Sequence, residues 1–103
     1  MDFTDFGHFS DPSLLILASL AGGEKHGYAM MEDIQAITGV RLGAGTLYGA
    51  ITRLEGAGLI EALPAQERRR PYRLTAAGAA LLSQVLADLE RFAGIGLKRL
   101  AMA

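Results

Sequence analysis

The spacing of hydrophobic residues first predicts a buried helix near the start of the chain. Asp11 followed by Pro12 is typical of an N-cap and a first helical residue. The segment that follows, SLLILASLA, is apolar on nearly every side of a helix until Gly22-Gly23 ends it. A helix without a polar face should lie at the centre of the fold.

A second helix is predicted between His26 and Gly39. His26 is expected to cap or orient its start, and Gly39 suits a left-handed residue at its end. Apolar residues spaced by three are expected to form the face of this helix that packs on the core. They are Tyr28, Met31, Ile34 and Ile37.

The third predicted helix runs from about Gly45 to Gly56 and has two unlike faces. Its outer face carries glycines, hydroxyl groups and a single arginine. Residues 40–43 are too few for anything but a tight link, so the second and third helices are a helix-turn-helix candidate. The residues at helical spacing that should face the core are Leu47, Ile51 and Leu54.

Two short strands around a basic loop should follow the third helix. Residues 59–63, LIEAL, and 72–75, YRLT, have the composition or alternation of strands. The loop between them contains Arg68, Arg69 and Arg70. This order of elements predicts a winged helix, and the predicted fold class is mainly α (α+β). The expected organisation is an N-terminal arm at 1–12, a winged helix-turn-helix domain at 13–75 and a C-terminal dimerisation helix at 76–103.

The last predicted helix is longer than the domain needs. Thr75 is a good N-cap for it, and it should end near Ala101, which makes it roughly 39 Å long. A monomer would leave part of its apolar stripe exposed, so we expect a second copy of the chain to cover it. The predicted dimerisation residues are Leu82, Val85, Leu86, Leu89, Phe92, Ala93, Leu97 and Leu100.

The charge distribution changes the picture more than the overall composition does. The 103 residues suit one domain, half of them are hydrophobic, and the formal net charge is −1. Residues 41–73 contain six arginines and three glutamates, whereas the rest of the chain contains four basic and eight acidic residues. The middle third is therefore electropositive, and local charge steers an encounter with a polyanion more than the total does.

The third helix and the arginine loop together favour binding to double-stranded DNA. Thr, Tyr and Arg side chains donate to phosphate oxygens, glycine allows a close approach, and Arg also reads guanine in the major groove. Taken singly, a solvated helix face and a charged loop that protects a sheet edge are equally good interpretations. The predicted DNA-binding residues are Arg41, Gly45, Thr46, Tyr48, Gly49, Thr52, Arg53, Arg68, Arg69, Arg70 and Arg73.

A pocket for a small aromatic effector is a weaker interpretation of the remaining aromatic and thioether side chains. Such a soft lining would suit a ligand held between subunits, but ordinary core or interface packing explains it better. The residues that would line this pocket are Phe6, Phe9, Met30 and Phe92.

Catalysis, metal binding and membrane insertion find no support in the sequence. Cysteine is absent, and neither His8 nor His26 has cysteine or carboxylate partners at ligand spacing, so we expect no metal, no cofactor and no enzyme. The longest apolar run, residues 14–21, is far shorter than the roughly 20 residues of a membrane span. A cytoplasmic protein is therefore expected. A winged helix used to recognise another protein remains the rival interpretation, because the net charge is slightly negative.

At these motifs the sequence resembles the PadR-like transcriptional regulators. The resemblance covers roughly residues 13–90, and it implies a winged-helix dimer that binds a palindromic operator, usually as a repressor. Dimers would form through the last helix and the partner's N-terminal helix, and many members release DNA when they bind a small, often aromatic, molecule. The motifs are His26-Gly27-Tyr28, Gly45-Thr46-Leu47-Tyr48, Arg53-Leu54-Glu55, Gly58-Leu59-Ile60 and Tyr72-Arg73-Leu74-Thr75 with Gly78.

Two features depart from the family pattern. A proline often follows the tyrosine of the third-helix motif, whereas this chain has Gly49, which loosens the first helical turn. The C-terminal region is a single helix without tryptophan. The resemblance is therefore to the smaller kind of member, without a large effector domain.

Overall fold

The computed structural model describes residues 11–103, which form four helices and three short strands. In chain order these are α1 (Pro12–Ala21), β1 (Lys25–His26), α2 (Gly27–Thr38), α3 (Ala44–Gly56), β2 (Ile60–Ala62), β3 (Pro71–Leu74) and α4 (Ala76–Met102). The predicted mainly helical winged fold with a long last helix is confirmed.

Helix α1 lies at the centre of the fold, as its apolar sequence predicts, and packs on α2, α3, α4 and β3. The Asp11 carboxylate accepts a hydrogen bond from the Ser13 amide at 3.0 Å, which confirms the predicted N-cap. The one polar side chain of α1 that is buried is Ser19, whose hydroxyl donates to the Asp33 carboxylate of α2 at 2.7 Å. Lys25 Nζ donates to the Ser19 carbonyl at 2.6 Å, so this polar cluster ties α1 to the start of β1 and to α2.

The predicted core face of α2 is wrong at both ends. Tyr28 and Ile37 are 56% and 59% exposed, whereas Gly27, Met30 and Ile34 are buried. A spacing of three residues falls short of a full helical turn by about 60° at each step, so four such positions spread over half the helix surface. The capping predictions hold, since the His26 ring accepts from the Ala29 amide and Gly39 ends the helix at φ 77°.

Helix α3 buries the predicted residues Leu47, Ile51 and Leu54, together with Ala50. These side chains join α1, α2 and Ile60 of β2 in one hydrophobic core. The five-residue link between α2 and α3 makes them the predicted helix-turn-helix.

The three strands form one antiparallel sheet in the order β1-β3-β2. The sequence pattern does not predict β1, because two residues are too few to show alternation. The pairing of β1 with β3 places His26 opposite Pro71 and Lys25 opposite Tyr72, so the start of α2 is fixed to the base of the hairpin that β2 and β3 form.

The wing is the hairpin between β2 and β3. The Leu63 amide donates to the Pro71 carbonyl at 2.9 Å, and Gln66 and Arg69 exchange backbone hydrogen bonds at 2.8 and 2.9 Å. Glu67 at the tip has a φ of 57°, an unusual value for a residue with a side chain. The tip is therefore a tight turn closed by the backbone of Gln66 and Arg69.

Helix α4 spans 27 residues, and only its first two turns reach the core. The Thr75 hydroxyl accepts from the Gly78 amide at 3.0 Å, which confirms the predicted N-cap. Leu82 is 4% exposed and packs within its own chain, so its predicted role in dimerisation is wrong. Beyond Leu82 the helix leaves the domain, and most of its apolar side chains face outward.

Candidate nucleic-acid interface

The outer face of α3 is open to solvent at most of the predicted positions, although the Tyr48 ring also packs on Gly27 of α2. Gly45, Thr46, Tyr48 and Thr52 are exposed. The N-cap residue is Gly43, and no side chain within residues 11–103 caps the first turn. The leading amide groups of α3 are therefore available to an external acceptor such as a phosphate oxygen.

Gly49 lies beside the Arg53 side chain and does not interrupt α3. Helical side chains lean toward the N-terminus, so Arg53 lies over the preceding turn. A Cβ atom at Gly49 would lie 3.6 Å from Arg53 Nη1, and α3 continues without interruption through this position. The Arg53 guanidinium consequently lies beside the exposed middle of α3.

Tyr48 connects α3 to the start of α2. A Cβ atom at Gly27 would lie 2.5 Å from the Tyr48 hydroxyl oxygen, so only glycine allows the ring to lie so close. The ring borders a pocket of about 270 Å³ to which α2, α3, β3 and the wing all contribute. Its lining residues are His26, Gly27, Tyr28, Tyr48, Arg68, Arg69, Arg70 and Tyr72.

The three wing arginines have different surroundings. Arg68 has no hydrogen-bond partner within residues 11–103 and is exposed. Arg69 Nη1 lies 3.1 Å from His26 Nε2, and Arg70 Nη1 donates to the Leu63 carbonyl at 2.9 Å. Arg69 and Arg70 therefore lie against neighbouring residues beside the pocket, whereas Arg68 has no such contact within the described residues.

Two arginines predicted to bind DNA, Arg73 and Arg41, do not line the pocket and contact other side chains. Arg73 pairs with Glu61 across β2 and β3, which neutralises its charge within the sheet. Arg41 lies on the link between α2 and α3, where its guanidinium donates to the Gln35 side chain at 3.3 Å. Of the six arginines in residues 41–73, Arg73 is the one that pairs with a carboxylate within the described residues, whereas Arg41, Arg53 and the three wing arginines do not.

Tyr72 forms part of the pocket wall from the sheet side. Burial raises the pKa of its phenol, Glu55 and Tyr48 raise it further, and Arg70 acts in the opposite direction. A phenol with a raised pKa keeps its proton at neutral pH, so Tyr72 presents a hydroxyl rather than a negative charge beside the arginines.

Within residues 11–103, two residues predicted to line an effector pocket, Met30 and Phe92, lie in different environments. Met30 is fully buried in the core, so a ligand could not touch it without displacing neighbours, and core packing explains it. Phe92 is exposed on the outer part of α4 and does not share a surface with Met30. Phe6 and Phe9 lie outside the described residues.

Sequence reasoning missed the contribution of the α2 start to this pocket. His26 was expected only to cap the helix, Gly27 only belonged to the family motif, and Tyr28 was expected on the face of α2 that packs on the core. The signal was present in the run His26-Gly27-Tyr28, but the pairing of β1 with β3 is what brings it to the wing.

Within residues 11–103, no cluster of three or more His, Cys, Asp or Glu side chains has the arrangement of a metal site. None of the helices in that part of the chain combines the length and the apolar character needed to cross a membrane.

A helix-turn-helix followed by a basic hairpin defines a winged-helix protein of the DNA-binding type. The profile of the transcriptional regulator PadR-like family matches residues 16–84, more than half of the chain. The chain therefore belongs to the PadR-like family of transcriptional regulators, and the resemblance given above is confirmed.

Solved structures agree with this assignment. A transcriptional regulator from Clostridium thermocellum is 30% identical, with a TM-score of 0.73 over 84% of this chain and 89% of that one. A PadR family regulator from Eggerthella lenta DSM 2243 is 31% identical, with a TM-score of 0.70 over 82% and 77% of the two chains. A PadR family regulator from Clostridium difficile R20291 shares the fold at 23% identity, with a TM-score of 0.78 over 86% and 97%.

A longer relative contains a similar segment. A 37.1 kDa protein in transposon TN4556 of Streptomyces fradiae is 42% identical over 85 residues, which is 82% of this chain. The match spans only 25% of that relative's length.

Proposed function

We propose that this PadR-like protein is a homodimeric repressor that binds a palindromic operator. Helix α3 enters the major groove and uses Thr46, Tyr48 and Arg53, while the wing arginines contact the flanking backbone or the minor groove. The observation that carries the proposal is the shared pocket of Tyr48 and the wing arginines. It makes the α3 start and the wing one continuous basic surface instead of two separate ones.

The outer part of α4 supports the dimer. Phe92, Leu97 and Leu100 are 76%, 68% and 74% exposed in the single chain. Large exposed apolar side chains in a row along a helix are typical of an interface with a partner helix. Val85, Leu86, Leu89 and Ala93 complete the proposed stripe, from which Leu82 is removed because it is buried.

A two-fold dimer would explain a palindromic site. Each subunit presents one α3 and one wing, so a symmetric pair reads two half-sites with opposite orientation. Binding of a small aromatic effector at this interface would separate or rotate the two α3 helices. Phe92 is the α4 aromatic side chain that such a ligand would contact.

Removal of the two anchored wing charges tests the DNA surface. We expect Arg69→Ala/Arg70→Ala to weaken binding to all duplexes, because these residues meet phosphates rather than bases. Each lost phosphate contact should lower the slope of log K against log salt by about 0.9. The assay is a fluorescence anisotropy titration of a random-sequence duplex at several salt concentrations.

Arg91→Ala is the control for loss of an arginine elsewhere in the chain. Arg91 lies on α4 and already pairs with Asp88 at 2.7 Å, so this variant removes one formal charge far from the wing, whereas the wing variant removes two. If the double variant keeps the affinity and salt slope of the Arg91 control, the wing does not contact DNA.

A substitution of Leu97 to Glu tests the dimer. We expect light scattering to show that this variant is a monomer at concentrations where the unaltered protein is a dimer. Glu90→Gln is the control, because it changes an exposed polar residue of the same helix. If Leu97→Glu leaves the mass unchanged, α4 does not form the interface.

Selection of bound sequences from a random duplex pool tests operator reading and symmetry together. A two-fold-symmetric consensus is the expected result, and an asymmetric consensus or none contradicts the palindrome.

A protein-binding winged helix is the second candidate, and one surface favours it. An apolar groove of about 350 Å³ runs between α1, α3 and α4, lined on one side by Leu14, Leu17 and Leu54 and on the other by Leu81 and Val85. If the unaltered protein fails to shift any duplex at low salt, this candidate replaces DNA binding.

A further inference from the structure

His26 is held in place by two independent sets of contacts. Its backbone pairs with Pro71 of β3, and its ring caps α2 because Nδ1 accepts from the Ala29 amide at 3.3 Å. The other ring nitrogen, Nε2, faces the wing and lies 3.1 Å from Arg69 Nη1. The ring therefore lies between the first turn of α2 and the wing arginines.

The two contacts of the ring cannot both be hydrogen bonds. A neutral imidazole carries one N–H, so a ring that accepts at Nδ1 must carry its proton on Nε2. The guanidinium of Arg69 is always a donor. With the cap in place, two N–H groups consequently face each other at 3.1 Å. An acceptor atom beside this pair would satisfy both donors.

The surroundings favour an anionic acceptor. The shared pocket contains three arginines, three tyrosines and His26, and no carboxylate lies among its lining residues. Glu67 lies on the other side of the His26–Arg69 pair, facing a separate groove with Gln66 and Pro71. Lys25, the neighbour of His26, is directed to the Ser19 carbonyl and Asp33. Positive charge therefore dominates where the two donors meet.

The pocket has the size for part of a nucleic-acid backbone. Its volume of about 270 Å³ lies just below the roughly 300–1,000 Å³ of sites for drug-sized ligands. A phosphodiester group with part of its sugar needs less room than such a ligand. The Tyr48 hydroxyl, held over Gly27, adds a third donor from α3 to those of the ring and the wing.

We propose that His26 is a phosphate-binding residue of the DNA surface. Its Nε2–H and the Arg69 guanidinium converge on one non-bridging oxygen of an operator phosphate, and the Tyr48 hydroxyl donates to the same group. This inference rests on the DNA-binding function proposed above. It gives the His26 ring two roles at once: Nδ1 caps α2, and Nε2 holds DNA.

Two substitutions separate the roles of the two ring nitrogens. In His26→Asn the side-chain oxygen can still cap α2, since Asn is among the best N-cap residues. The shorter side chain, however, places no donor at the position of Nε2 beside Arg69. In His26→Gln the longer side chain places an N–H donor near the position of Nε2, while the cap is lost. The paired variants therefore distinguish a phosphate contact from a purely structural histidine.

The experiment is an anisotropy titration of a random-sequence duplex at low salt, with thermal unfolding of each free protein. We expect His26→Asn to unfold like the unaltered protein and to bind DNA roughly ten-fold more weakly, since a hydrogen bond to a charged group is lost. We expect His26→Gln to unfold at lower temperature and to bind DNA nearly as well as the unaltered protein.

Different failures have different meanings. If the unaltered protein binds duplex and His26→Asn binds equally well, the His26 proposal is wrong and the DNA-binding proposal stands. If the unaltered protein binds no duplex, both are wrong. A titration with inorganic phosphate, followed by NMR of the His26 ring, tests the remaining alternative. If phosphate binds at His26 and does not compete with duplex, the pocket binds a free phosphate group and not DNA.

Discussion

Gly78 offers the sharpest test of how α4 is joined to the winged domain. It lies in the first turn of α4 against the backbone of Leu59, and a Cβ atom there would lie 1.9 Å from the Leu59 carbonyl oxygen and 2.9 Å from its carbonyl carbon. The Leu59 backbone cannot easily shift away from α4, because both its amide and its carbonyl are hydrogen-bonded. Its amide donates to the Leu54 carbonyl at 3.0 Å, and its carbonyl accepts from the Thr75 amide at 3.1 Å.

The cost of Gly78→Ala follows from these contacts. The helix and the Leu59 segment must separate by roughly 1 Å, which is overpacking against backbone and costs about 1–3 kcal/mol. The bond between Thr75 and Leu59 is worth about 1 kcal/mol when lost. Against these costs, alanine stabilises the helix by about 1 kcal/mol relative to glycine because of its higher helix propensity. We therefore expect the free energy of unfolding to fall by about 1–3 kcal/mol, which lowers the midpoint by roughly 5–20 °C.

The assay is thermal and urea unfolding at one fixed protein concentration, because dimerisation would make the midpoint depend on concentration. Gly49→Ala is the matched control. It lies inside α3, where a Cβ atom would meet only Arg53 Nη1 at 3.6 Å, so it should stabilise the protein by about 0.5–1 kcal/mol. If Gly78→Ala is as stable as Gly49→Ala, the close approach of α4 to Leu59 is not a constraint on the fold.

Three further predictions concern stability. Ser19→Ala should lower the free energy of unfolding by about 1–2 kcal/mol in urea titrations, because the Asp33 carboxylate loses its buried donor at 2.7 Å; an unchanged midpoint would contradict this. Glu67→Gly should raise it by about 0.5–1 kcal/mol, because glycine accepts the φ of 57° without strain; a loss would mean that the Glu67 side chain stabilises the wing. Since burial raises the pKa of Tyr72 in the folded state, the unfolded chain loses this proton first. The stability of the unaltered protein should therefore fall as pH rises past about 10, more steeply than that of Tyr72→Phe, and parallel curves would refute the argument.

Local signals in the sequence were enough for most helix boundaries. Asp11 and Thr75 are N-caps, and Gly39 is a left-handed stop, because each depends only on a residue and its immediate neighbours. The same holds for the core face of α3, whose i, i+4, i+7 spacing matches the helical period. The prediction was wrong for α2, because residues spaced by three do not stay on one face of a helix, and Tyr28 and Ile37 therefore lie outside the core face.

The sequence predicted only part of the candidate site. The chain order and the arginine run predicted α3 and the wing as the basic surface, but not that His26 and Gly27 would line it. Arg73 was grouped with the wing arginines because charge along the chain does not show pairing, whereas the sheet register places it opposite Glu61.

The order of elements, the caps and the central helix were predictable from local patterns, since these follow from short-range sterics, hydrogen bonding and hydrophobic periodicity. Which side chains meet depends on how the elements pack together. The pairing of two-residue β1 with β3, and the absence of a side chain at Gly27, bring the ring of His26, the hydroxyl of Tyr48 and the guanidinium of Arg69 to one pocket. Contacts between residues 43 positions apart depend on strand register and backbone packing, which no local pattern encodes.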